Sequence, residues 1–117
     1  MGDVVAGAVV VVPFPFTTLA ERKSRPALVL ATFARGDVLL CQITSKSYGH
    51  PVVVALSAEH FEAGGLPRES WVLPHRLVTA HASIVERVAG RLSHAALAEV
   101  RRAVCDVVRG DETTTER

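Results

Sequence analysis

Apolar residues fall in short continuous runs through the first two-thirds of the chain and in a helical rhythm at its end. Four runs rich in Val and Leu, Ala8–Val12, Ala27–Ala31, Val38–Thr44 and Val52–Leu56, are each bounded by Gly, Pro or polar clusters. They are more continuous than alternating. That pattern predicts strands buried on both faces, or strands closed into a small barrel. Arg35-Gly36-Asp37 predicts a tight hairpin turn between the second and third runs. Ser57–Phe61 reads as one helical turn stopped by Gly64-Gly65, with Ser57 as its N-cap. Fifth and sixth strands are expected near Ser70–Leu73 and Ile84–Ala89. The period then changes. Leu97, Val100, Val104, Val107 and Val108 lie on one face of an amphipathic helix, with Ser93 as N-cap and Gly110 as stop.

Strands first and one helix last predict an α+β fold: a small, strongly bent antiparallel sheet packed on a C-terminal helix. One domain is expected over residues 1–110, followed by a polar tail over 111–117 with nothing to bury. At 117 residues and 49% hydrophobic, the chain can build a core without staples. Cys41 and Cys105 stand far apart, with no zinc-ligand spacing, so both read as small core residues of a cytoplasmic protein and no metal is expected. The apolar stretch Val4–Val12 is too short to span a bilayer, and it lacks the basic start and small-residue cleavage site of a signal peptide.

A net charge of +1 excludes the simplest nucleic-acid signature, a strongly basic domain. The distribution qualifies that exclusion. Residues 17–50 hold Arg22, Lys23, Arg25, Arg35 and Lys46 against only Glu21 and Asp37. If the first four strands form a meander, the loops 17–25 and 45–50 lie at one end of the sheet. Arg22, Lys23, Arg25, Thr44, Ser45, Lys46, Tyr48 and His50 would then form one polar, basic rim suited to a phosphodiester. Within it Arg25 precedes Pro26, which pushes Arg25 into an extended conformation at the start of a strand. A guanidinium held there offers a rigid fork of donors matched to phosphate oxygens. Thr44-Ser45 adds two hydroxyls at the end of the third strand. Tyr48 is a candidate stacking platform for a base.

These residues carry a resemblance. Gly7–Phe16 (GAVVVVPFPF), Ser24–Leu30 (SRPALVL), Gln42–Ser45 (QITS), Gly49-His50-Pro51 and Gly90–Ser93 before an amphipathic helix occur in the order seen in the MazF/PemK (Kid) family. That family comprises toxin endoribonucleases of bacterial toxin–antitoxin pairs. The likeness covers about residues 7–109. It implies an SH3-like barrel, shared with CcdB, and a homodimer. It further implies metal-independent, sequence-selective cleavage of single-stranded RNA, with mRNA as the expected substrate, by attack of the 2′-OH on the adjacent phosphate. No cofactor is implied, and a cognate antitoxin is the implied protein partner. Arg25 and Thr44 match the family's catalytic positions, with Glu21, Lys23, Ser45, Lys46, Tyr48 and His50 as candidate substrate contacts.

The chain departs from the pattern in two places. Many members carry Glu-Gln shortly before the arginine; here Glu21 stands near that place without a Gln. Some carry an Asp near the position of Trp71, where this chain has Ser70-Trp71-Val72. The general base is left open, with His50 and Glu21 as candidates. Two other functions remain on the same fold: a CcdB-like gyrase poison with no chemistry of its own, and a catalytically inactive regulatory relative.

Overall fold

Strand β1 (Ala8–Phe14) lies between β2 (Lys23–Thr32) and β7 (Arg87–Leu92), and its Val-rich sequence is buried against both neighbours and both layers of core. The computed structural model describes residues 3–14 and 23–111. Within them β3 (Asp37–Thr44), β4 (Val54–Leu56), β5 (Phe61–Gly64) and β6 (Ser70–His81) complete one seven-stranded sheet. Its order is β4-β6-β3-β2-β1-β7-β5, and among the described residues every strand pairing is antiparallel. The sheet curls into a half-barrel, and helix α1 (His94–Arg109) closes it. This is the α+β, strongly bent barrel-and-helix architecture expected from the sequence.

The continuous apolar runs have a direct explanation. Val9, Leu28, Leu30, Cys41, Ile43 and Val72 pack with Val100 and Val104 of α1. Ala8, Val10, Val12, Ala27, Val29 and Leu40 form a second cluster. Successive residues of one strand therefore enter two cores, and no polar alternation survives. Helix α1 is held by the expected caps: Ser93 Oγ accepts from Ala96 N–H at 3.2 Å, and Gly110 takes the left-handed conformation. Arg101 donates to the Leu30 carbonyl at 2.8 Å, tying the helix to β2. The apolar stripe stops short of its expected end, because Val108 is 72% exposed. Cys105 is also exposed, one position past the buried Val104, so only Cys41 is a core cysteine. Burial pushes the Cys41 thiol up to about 12, and it donates to the Leu73 carbonyl.

Four strand expectations are corrected. Strands one to four do not form a simple meander, because β6 sits between β3 and β4. The connection from Ser45 to Val53 exceeds the roughly 2–5 residues of a hairpin loop, which leaves room for that insertion. Strand β4 begins at Val54, not Val52. Strand β6 runs past Pro74 to His81, because the ladder jumps from Cys41↔Leu77 to Ile43↔Val72 and asks no N–H of the proline. The sixth expected strand is shifted: Ala82–Ile84 forms a 3₁₀ turn, and β7 starts at Arg87.

Strand β5 was not expected, because Gly64-Gly65 reads as a stop. Its pairing with β7 requires backbone contact instead. Gly64 has φ +65°, and a Cβ there would strike the Ala89 carbonyl. Gly64→Ala is expected to cost at least about 2 kcal/mol, seen as a lower Tm in thermal unfolding. An unchanged Tm would show that β5 can pull away freely.

Candidate functional site

Antiparallel pairing brings the N-terminal end of β2 beside the C-terminal end of β3. Ala27 pairs with Gln42, so Arg25 and Thr44 continue past that pair toward the same edge. On the other side of β2, Arg25 pairs with Val12, and Val11 in turn pairs with Arg87 at the start of β7. Three strand ends therefore open onto one groove of about 700 Å³. Val11, Pro26 and Ile43 supply its apolar lining, and the 66–68 segment contributes a wall.

The groove gathers Lys23, Arg25, Thr44, Ser45 and Lys46 from the sequence-derived rim. It does not include Tyr48 or His50. Tyr48 is 78% exposed, and the His50 ring lies 5.7 Å from the His75 ring. Glu21 and Arg22 lie outside the described residues. Four further groove residues were not singled out from sequence: Ser24, Arg68, Glu86 and Arg87. Arg68 sits in a locally acidic segment, and Glu86 and Arg87 lie far along the chain. Only the closing of β7 onto β1 brings the last two to β2, and no local signal carries that information.

The electrostatics are one-sided. Lys23, Arg25, Lys46, Arg68 and Arg87 face a single groove carboxylate, Glu86. Among the described residues, none of these five cations has a carboxylate within ion-pair distance. Such a groove concentrates positive potential on an otherwise balanced surface and attracts an extended anion. Arg25 itself is half-buried at the mouth of β2.

Thr44 has a local task as well. Its Oγ1 accepts from Lys46 N–H at 3.1 Å and lies 3.2 Å from the Lys46 carbonyl. This side-chain turn bends the chain sharply after β3 and sets Ser45 and Lys46 at the groove. The hydroxyl can donate to a ligand by releasing the Lys46 carbonyl while keeping the Lys46 N–H bond. Ser24 Oγ donates to Glu86 Oε1 at 2.7 Å, which links β2 to the entrance of β7 across β1.

Beside the bulge of β6, His75 Nδ1 is buried without a hydrogen-bond partner among the described residues. Burial pulls the His75 pKa below 6.5, and the neighbouring His50 and Arg76 charges lower it further. A lowered histidine pKa means that the unfolded chain binds the extra proton first. Stability is therefore expected to be full above about pH 6.5 and to decline as pH falls below it. Thermal unfolding from pH ~8 to ~5 should show that decline, and His75→Gln should flatten it. An equally steep decline in the variant would assign the effect elsewhere.

Residues 6–108 match the model of the PemK-like, MazF-like toxin family of type II toxin–antitoxin systems. No curated protein sequence matches the chain significantly. Among solved structures, MazF from Deinococcus radiodurans in a MazE–MazF crystal is similar at 29% identity and TM-score 0.67, covering 92% of this chain and 97% of that one. MazF of the same organism crystallised by itself is similar at 26% identity and TM-score 0.68, covering 90% and 96%. An endoribonuclease from a mycobacterial species, solved with its cognate antitoxin, shares the fold at 17% identity and TM-score 0.68, covering 94% and 98%.

Proposed function

The chain belongs to the PemK-like, MazF-like toxin family of type II toxin–antitoxin systems, and from that premise we propose that it is an endoribonuclease that cleaves single-stranded RNA in the groove at the end of β2 and β3. The observation that carries this reading is the meeting of Arg25, Thr44 and Lys46 in a groove whose cations have no carboxylate partner among the described residues.

RNA brings its own nucleophile, the 2′-OH next to each phosphate. An enzyme that uses it needs to align that hydroxyl in line with the leaving oxygen, move a proton and stabilise added charge on phosphorus. Arg25 supplies the charge: its guanidinium forks onto two non-bridging oxygens, and its strand position costs little reorganisation. Thr44 Oγ1 donates to a phosphate oxygen. Lys23, Ser45 and Lys46 hold the flanking backbone. The products are a 2′,3′-cyclic phosphate and a 5′-OH end. This route needs no metal, and a groove with one carboxylate among five cations is a poor cage for a divalent ion.

The protein partner is a cognate antitoxin, whose acidic segment would fold over the cationic groove and exclude RNA. Similar structures solved as MazE–MazF complexes support an antitoxin partner. A homodimer is the expected assembly, with Tyr48 exposed after β3 and His50 half-buried beside His75. The test is incubation of a long RNA with the protein in EDTA, followed by end analysis and cut-site sequencing. Recurrent cuts in unpaired regions with cyclic-phosphate ends support the reading. Intact RNA together with inhibited gyrase supercoiling would move the protein to the CcdB-like function.

A further inference from the structure

We propose that Glu86 is the proton acceptor for the attacking 2′-OH, a role that rests on the endoribonuclease reading. Glu86 is the one carboxylate among the described residues that line the groove. Its main chain is fixed, because Glu86 N–H donates to the Val11 carbonyl at 2.8 Å. Its side chain is fixed too, because Ser24 Oγ donates to Oε1 at 2.7 Å. Oε2 has no hydrogen-bond partner among the described residues, so one carboxylate oxygen is held and the other is unbonded on an exposed side chain that lines the groove.

Ser24 directly precedes Arg25. Ser24, Arg25 and Glu86 all line the groove, so a phosphate seated on the Arg25 guanidinium shares it with the group that aims Glu86. The charged groups facing Glu86 are Lys23 and Arg25 of β2, Lys46 after β3, Arg68 of the wall and Arg87 beside it. None is within ion-pair distance of the carboxylate. The carboxylate is placed by Ser24 and lies in no ion pair among the described residues.

The 2′-OH proton passes to Glu86 Oε2 as O2′ bonds to phosphorus. The P–O5′ bond breaks, and O5′ takes a proton from groove water. The Glu86 proton then returns to solvent, so no net proton is consumed. Ser24 is a positioning residue in this scheme.

Glu86→Gln decides it, because the amide oxygen still accepts from Ser24 but cannot take the proton. Single-turnover cleavage is expected to fall about 10²–10⁴-fold, with the acid-side fall of kcat/KM lost. Tm and binding of an RNA carrying 2′-deoxy at the scissile nucleotide should stay within about twofold and a few degrees of wild type. An RNA with sulfur in place of the leaving O5′ needs no proton on departure and should not restore the variant. Restoration would make Glu86 the acid and overturn the proposal. Wild-type cleavage with an unchanged rate and pH profile in Glu86→Gln would overturn it while leaving the endoribonuclease reading intact. A wild-type protein that cuts no RNA would overturn both.

Discussion

Arg25→Ala is expected to lower single-turnover RNA cleavage by about 10³-fold or more, because it removes the charge aimed at the developing negative phosphate. The fold should tolerate the change. Arg25 is half-buried at a strand mouth and has no ion pair among the described residues. Arg25→Lys is expected to recover only a small part of the rate, since an ammonium lacks the planar fork. Added guanidinium should partly rescue the alanine variant and not the lysine one. Cleavage at full rate in Arg25→Ala, with unchanged Tm, would mean that the groove binds but does not react at this residue.

Leu28→Ala is expected to be the most damaging single truncation for stability. Leu28 is completely buried, at the centre of β2 beneath α1. Its loss removes apolar burial and leaves a cavity between sheet and helix that β1 and β3 cannot close, since both are pinned in register to β2. The cost is about 3 kcal/mol, which for a domain this small lowers Tm by roughly 10–20 °C. Denaturant unfolding should show a lower midpoint with an unchanged slope. A loss below about 1 kcal/mol would show that the helix follows the smaller side chain inward.

The core of the fold was legible in the sequence because β1, β2 and β3 are buried on both faces, and continuous Val and Leu runs say so directly. The helix and both of its caps were legible for the same kind of local reason. Strand β5 was not, because its pairing depends on close backbone approach at Gly64 and Gly90, and glycine in sequence reads as a break. Strand β6 was cut short at Pro74, whose missing N–H matters only if the ladder reaches it.

The site divides along the same line. Arg25, Thr44, Ser45 and Lys46 follow from the ends of β2 and β3, which are paired neighbours in the sheet. Glu86 and Arg87 enter only through the pairing of the last strand with the first, a contact that composition does not encode. The sequence leaves the general base open between His50 and Glu21. The groove offers a carboxylate near the arginine in space.

The chemistry proposed for this groove depends on one atom of the substrate. The most direct test is a pair of otherwise identical oligonucleotides spanning a mapped cut site, one all-RNA and one with a single 2′-deoxy nucleotide on the 5′ side of the scissile phosphate, incubated in EDTA. The all-RNA strand should be cut to a 2′,3′-cyclic phosphate and a 5′-OH, and the deoxy strand should bind and stay intact. Cleavage of the deoxy strand at the same phosphate would contradict attack by the 2′-OH and would require a different nucleophile at Arg25 and Thr44.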